Sequence, residues 1–330
     1  MLRRPRRNRS SPSIRALVAE QRLTPAKLVL PMFIHDLTQD VPIPSMPQCS
    51  RLSLQGCLDK AREAFELGIR GVALFPHIPA ALRDERARES LNPDGLTARV
   101  VRALKRELPE LVVITDVAMD PYSIFGHDGL VVGGVIDNDA TLPILAAMAV
   151  AQARCGADVV APSDMMDGRV QAIREALDAS GYQHVLILSY CAKYASSFYG
   201  PFRDALDSAP RAEANVPRDK RTYQMDPANA REALREAALD EAEGADWLMV
   251  KPGLPYLDII SALHRASPLP IAAYQVSGEY AMLRAASERG WIDYEQCLLE
   301  SLLALRRAGA EIILTYGACD AARALRTSAP

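Results

Sequence analysis

The sequence predicts an α/β protein, a (β/α)8 TIM barrel with an N-terminal extended arm. Eight short apolar, β-branched runs, amphipathic helical stretches between them, and a 330-residue chain without internal repeats carry that prediction. A doubly wound sheet is the alternative. It normally advertises a glycine-rich phosphate turn, and neither G-x-G-x-x-G after a strand nor G-x-x-x-x-G-K-S/T occurs. The barrel is preferred, with residues 1–25 as an arm for subunit contacts and residues 26–330 as the barrel.

The arm opens the chain. Its stretch "MLRRPRRNRSSPSIRALVAE" carries five arginines between Arg3 and Arg9 and no early acid. Such a composition suits an organelle transit peptide or an arm docking on another subunit, and the arm is the favoured reading. Strands follow at 28–33 (LVLPMF), 71–75 (GVALF), 112–117 (VVITDV) and 157–162 (ADVVAP). Four more lie at 184–190 (HVLILSY), 246–251 (DWLMVK), 270–274 (PIAAY) and 311–316 (EIILTY). Between the fifth and sixth, "PANAREALREAALDEAEG" reads as a helix with Asp226 as N-cap, Pro227 at N1 and Gly244 as its stop. Two excursions, 118–139 and 194–225, are long enough to be functional covers, and the second reads as a mobile lid. The closing "RALRTSAP" reads as a frayed tail.

Composition excludes several classes. The chain is 49% hydrophobic and 24% charged with net charge −3, which gives nucleic acid binding no support. No apolar run approaches the roughly 18–20 residues that cross a membrane. The cysteines at 49, 57, 155, 191, 297 and 319 form no CxxC pair, and no secretory signal precedes them. A reducing, cytoplasmic setting with free thiols is expected.

In a barrel, chemistry gathers at the C-terminal strand ends. Those ends carry His35, His77, Asp116, Ser163-Asp164, Tyr190 with Lys193 close behind, Lys251, Tyr274 to Ser277, and Tyr316. Lys251 follows an apolar run directly before a Pro-Gly turn, where a lysine either snorkels to solvent or works. Lys193 and Lys251 end adjacent predicted strands. Burial and a neighbouring ammonium both disfavour the charged amine, and a neutral lysine forms Schiff bases with ketones. The plainer alternative is that one lysine only neutralises Asp116 or Asp164.

Several motifs resemble porphobilinogen synthase, also called 5-aminolevulinate dehydratase: "SYCAKYASSFYGPFRDA" (189–205), "TYQMDPAN" (222–229), "LMVKPGLPYLDI" (248–259) and "YQVSGEYAM" (274–282). "RPRRNR", "VPIPSMP", "ALFP", "APSDMMDGRV" and "ILTY" extend the likeness over nearly the whole chain. The resemblance implies a homo-octamer whose arms embrace neighbours. It implies condensation of two 5-aminolevulinate molecules to porphobilinogen with loss of two waters, an early step of tetrapyrrole and heme biosynthesis. Carried over, Lys251 forms a Schiff base with the first substrate, and Lys193 serves the second as Schiff base or charged partner. Ser277 and Tyr316 fall where the family binds the first carboxylate. Arg203 and Lys220 fall where it binds the second, with Gln224 assisting.

In the stretch 116–129, Ala118, Asp120 and Asp128 stand where zinc-dependent members carry cysteines. The likeness is thus to the aspartate-rich, magnesium-responsive branch, and no zinc is expected, since carboxylates favour hard cations. Asp120 and Asp128 either hold a hydrated cation or orient and deprotonate the substrate amine; the second is favoured. His127 alone makes a weak ligand, and Phe125 replaces a histidine often found there. Glu236 matches the family's allosteric Mg2+ ligand, although by itself it would pass for a solvated helix carboxylate. Cys191 reads as a packed thiol. Two rival functions remain: a class I aldolase-type lyase, which needs neither two lysines nor two anion clamps, and a catalytically silent barrel.

Overall fold

The computed structural model describes residues 1–210 and 215–327. Eight parallel strands close on themselves: β1 (Leu28–Ile34), β2 (Gly71–Pro76), β3 (Val112–Val117), β4 (Val159–Pro162), β5 (Leu186–Lys193), β6 (Trp247–Lys251), β7 (Ile271–Gln275) and β8 (Ile312–Thr315). Each pairs with its sequence neighbours, and β8 closes the ring by pairing Ile313 with Leu28. All eight predicted strands are therefore present, within three residues of their expected limits.

Alternation explains why these runs are apolar on both faces. On β1, Val29 and Phe33 point into the barrel with Phe75, Ile114, Met249 and Leu314. Leu28, Leu30, Met32 and Ile34 point outward to pack under the helices with Leu58, Val100 and Leu145. Those covering helices include α1 (Leu54–Glu66), α2 (Leu96–Glu107), α3 (Asn138–Arg154) and α4 (Arg169–Ala179). After β5 come a short helix α5 (Gly200–Leu206) and the longer α6 (Arg231–Ala242). The round is completed by α7 (Leu257–Ala266), α8 (Ser277–Glu288), α9 (Tyr294–Ala308) and α10 (Ala318–Thr327).

Two local expectations need correction. The helix expected from Asp226 begins at Arg231. Asp226 instead accepts the Ala228 N–H at 2.9 Å through its side chain, a turn that spends the capping group four residues early. Gly244 does end the helix region, at φ +103°. The tail is helical through Thr327 rather than frayed, and 328–330 lie outside the described residues. The first excursion holds an antiparallel hairpin, Leu130–Val132 with Val135–Asp137. The second holds α5, and its residues 211–214 lie outside the described ones.

Residues 1–24 are almost wholly exposed and contain two short turns of helix, Pro5–Arg9 and Pro12–Leu17. Among the described residues no helix is long and apolar enough to cross a membrane.

Candidate active site

An irregularity brings the two lysines together. Ser189 lies opposite Leu248, Ala192 opposite Val250, and Lys193 opposite Lys251. β5 thus advances three residues while β6 advances two, and such a bulge re-aims the side chains beyond it. Tyr190 faces inward, Cys191 and Ala192 pack with the outer core, and Lys193 turns inward again beside Lys251. Cys191 is a buried free thiol, as expected.

Lys251 sits in an aromatic cage and is 4% exposed. Its amine lies 4.7 Å from the Tyr274 ring centre, 4.8 Å from Phe202, 5.2 Å from Tyr190 and 5.3 Å from Tyr199. Ring faces attract a cation, by about 2 kcal/mol when desolvated. Dehydrating an ammonium costs several kcal/mol, and that term wins. Burial first, and repulsion from Lys193 second, bring the Lys251 pKa down to about 7 against the pull of Asp116, Asp128 and Asp120. A neutral amine is therefore accessible near neutrality. Snorkelling is ruled out, since the amine is enclosed.

Lys193 stands in the opposite kind of environment. Its ammonium donates to the Ser163 carbonyl and lies 3.3 Å from Asp128 Oδ1. Lys220 reaches down from the lid to the same carboxylate, 2.8 Å from Asp128 Oδ2 and 3.1 Å from Asp120 Oδ2. Burial would raise the Asp128 carboxyl, but Lys193 and Lys220 overturn this and hold it well below the usual range. Burial opposes charge on Lys220 as well, and Asp120 and Asp128 more than restore it, raising its pKa. Tyr223 donates to Asp128 Oδ2 at 2.9 Å and contacts His127 Nδ1 at 3.0 Å. His127 Nε2 faces the Pro217 carbonyl at 2.8 Å, so both ring nitrogens are spent on holding the lid to the loop. Below the cluster, burial and then Asp120 push Asp116 up to about 7, and burial pushes Asp164 up to about 6.

The lid is fastened at both ends of α5. At one end Ser277 Oγ accepts the Phe202 N–H at 3.0 Å. Gly278 makes that approach possible, because a Cβ there would lie 2.5 Å from the Phe198 carbonyl oxygen. At the other end Arg51 donates to the Ala205 and Asp204 carbonyls at 2.6 and 2.8 Å, and Arg83 to the Asp207 carbonyl at 2.8 Å. Two guanidiniums thus cap a helix C-terminus, where cations are favoured.

The expected anion clamps are only partly assembled. Ser277 and Tyr316 come from adjacent strand ends, but Ser277 is engaged with α5 and Tyr316 shares a 2.9 Å hydrogen bond with Tyr274. Lys220 belongs to the ionic cluster, whereas Arg203 lies half-buried on α5 with no ion pair among the described residues. Gln224 is buried, and among the described residues its Oε1 has no hydrogen-bond partner. It lines a cavity of about 600 Å³ that also contains Glu236, Asp167, Asp226 and Glu232. Glu236 is half-buried there. Burial raises its carboxyl, Arg169 opposes this, and Asp240, Asp167 and Glu232 add to it.

For metals, among the described residues no group of three or more His, Cys, Asp or Glu side chains is arranged to hold an ion. Between Asp120 and Asp128 the Lys220 ammonium already supplies the positive charge. Sequence reasoning placed Tyr190 and Tyr274 at the barrel mouth without seeing them as walls of a cage, and it missed Tyr199, Phe202, the helix-capping Arg51 and Arg83, and Tyr223. Aromatics at strand ends resemble ordinary core, so only their convergence on one amine reveals them.

Comparison with known proteins agrees with this geometry. The family model described as "Delta-aminolevulinic acid dehydratase" matches residues 2–324. A chloroplastic delta-aminolevulinic acid dehydratase of Glycine max is 59% identical over 98% of this chain and 78% of its own. That of Chlamydomonas reinhardtii is 54% identical over 97% of this chain and 84% of its own. The crystal structure of the Toxoplasma gondii ME49 enzyme with its product porphobilinogen superposes with a TM-score of 0.95 at 53% identity, covering 98% of this chain and 91% of that one. One expectation falls here. The relatives from soybean, Arabidopsis thaliana and Chlamydomonas are named chloroplastic, so the cytoplasmic setting read from the cysteines and the want of a secretory signal does not stand. Free thiols mark a reducing interior, and that does not single out the cytoplasm.

Proposed function

Since the chain belongs to the delta-aminolevulinic acid dehydratase family, we propose that its barrel mouth condenses two 5-aminolevulinate molecules into porphobilinogen with loss of two waters. The observation that carries the assignment of roles is the contrast between the lysines: Lys251 caged with its pKa near 7, Lys193 ion-paired with Asp128. Neutral Lys251 attacks the ketone carbon of the first substrate, and the ketone oxygen departs as water once protonated. Lys193, ion-paired with Asp128, acts as a charged partner for the second substrate. Asp120 and Asp128 orient and deprotonate the second substrate's amine without a metal between them, a reading supported by the Lys220 bridge. Ser277 and Tyr316 bind one substrate carboxylate after exchanging their present partners. Arg203, assisted by Lys220 and Gln224, binds the other by charge-assisted hydrogen bonds.

Mg2+ is assigned to Glu236 as an allosteric site, in keeping with the magnesium-responsive branch. A raised carboxyl among acidic neighbours gains from a cation, and Mg2+ keeps most of its waters. No zinc is assigned, since Ala118, Asp120 and Asp128 offer no thiolate. The exposed residues 1–25 serve as the arm for subunit contacts in a homo-octamer around the barrel of residues 26–330.

Borohydride trapping with 5-aminolevulinate, followed by peptide mapping, tests the chemistry. An adduct on Lys251 is expected; an enzyme that turns over with neither Lys251 nor Lys193 modified refutes the scheme. EDTA is expected to lower activity partially and Mg2+ to restore it. Strict zinc dependence would overturn the metal assignment, and an unchanged Mg2+ response in Glu236→Ala would remove that residue from it.

A further inference from the structure

Glu279 is a buried carboxylate that the scheme above leaves without a role. It is 1% exposed and occupies the first turn of α8, two residues after Ser277. Its Oε2 accepts the Val276 N–H at 2.6 Å, the reach-back expected of an acid at the third helical position. That bond by itself would be ordinary helix capping. The other oxygen does something a cap does not need: Oε1 accepts the Leu254 N–H at 2.7 Å, with Gly253 N–H 3.4 Å from Oε2. Residues 253–254 form the turn immediately after Lys251, on the neighbouring strand's loop.

One carboxylate thus bonds two loops directly, whereas the lid segment Tyr199–Phe202 touches each of them through separate groups. One loop ends β6 and carries Lys251; the other ends β7 and carries Ser277. Lys251 is held on its far side as well, where its carbonyl accepts Tyr194 N–H at 3.0 Å and the Tyr199 hydroxyl at 3.1 Å. Burying a carboxylate is costly unless it is fully hydrogen-bonded, and burial does push Glu279 up to about 7 despite its backbone donors. A neutral capping group could have served the helix alone. An acid with two oxygens can serve two backbone segments at once.

We propose that Glu279 is a positioning residue that fixes the Lys251 turn against the start of α8, setting the reach of the amine relative to the group that holds the substrate carboxylate. This rests on the reading of Lys251 as the Schiff-base lysine. Misplacing a reacting group by about 1 Å costs on the order of a hundredfold. In Glu279→Gln one oxygen remains to accept, and the amide NH2 confronts a backbone N–H, so the two loops lose their common tie.

The test compares rates of borohydride-trapped adduct at Lys251 under single turnover with 5-aminolevulinate, in the full chain. Wild-type trapping at Lys251 establishes the underlying reading, and its absence would defeat that reading rather than this one. Given trapping, Glu279→Gln is expected to slow it about tenfold to a hundredfold. Met282→Gly, on the exposed side of α8, weakens the same helix without touching the tie and is expected to leave the rate within about twofold. Should Glu279→Gln fail to accumulate folded, Glu279→Asp takes its place, since a side chain one methylene shorter cannot span both loops. A Glu279 variant that traps at the wild-type rate overturns the proposal. So does a Met282→Gly variant that is slowed as much as Glu279→Gln.

Discussion

The barrel mouth has two halves that treat the same side chain in opposite ways. On the β6 and β7 side, Lys251 meets four aromatic rings and its pKa falls to about 7. On the β4 and β5 side, Lys193 meets Asp128 and the Ser163 carbonyl, within a cluster that Lys220 and Asp120 complete. The two lysines are register partners on adjacent strands, so position in the fold does not distinguish them. Their neighbours do. Desolvation without a counter-ion frees an electron pair for attack, and desolvation with one preserves a charge.

Substitutions can break this contrast, and the largest effect is expected from Lys251→Met. Loss of the covalent handle should lower kcat by about ten-thousandfold, read in a porphobilinogen formation assay. Next comes Asp128→Asn, which takes the ion partner from Lys193 and leaves Lys220 with Asp120 alone. Removing one partner of a buried pair costs about 3–5 kcal/mol, so thermal or urea unfolding should show a marked loss of stability together with lower activity. An Asp128→Asn protein as stable as wild type would mean that the ionic half is wetter than its burial indicates.

Phe202→Ala sharpens the comparison from the other side by admitting water to the cage. The Lys251 pKa should then climb from about 7 towards its ordinary value, and the acid limb of the kcat/KM profile should move to higher pH. Each unit of movement costs about tenfold in rate at pH values below the limb. The smallest effect is on stability. Between about 7 and 10.5 the unfolded chain binds a proton at Lys251 that the folded chain does not, so this residue makes stability rise with pH across that window. Asp116 acts in the opposite sense between 3.8 and about 7, where the folded state holds the extra proton, so stability falls as pH rises there. Unfolding of Lys251→Met measured against pH should lack the upper rise.

The eight strands were legible because each is a continuous apolar run, doubly buried between barrel interior and helices. Lys193 and Lys251 were legible for a related reason: a lysine ending such a run has few other uses. The helix after the lid was misplaced because Asp226-Pro227 has the chemistry of a cap and spends it on a turn. Lys220 was read as a substrate ligand from the family resemblance; its burial against Asp120 and Asp128 was not legible, because it comes from loop packing that no local pattern in "VPRDKRTYQ" encodes. The bulge in β5 was equally hidden. Sequence spacing alone would put Tyr190 and Lys193 on opposite faces, and only the three-against-two register places both inside.

The position of Lys220 has a consequence for how the mouth opens. It travels with the lid, while Asp120 and Asp128 belong to the loop beneath. Lifting the lid therefore separates charge, leaving neighbouring carboxylates with less cation to offset them. Lys193 and Lys220 together hold the Asp128 carboxyl down, so without Lys220 the open form binds a proton at Asp128 more readily than the closed form does. Substrate arrives bearing its own ammonium group and can stand in for the departed lysine. Admission to the mouth is in that sense an exchange of one cation for another, with a proton count that depends on which one is seated.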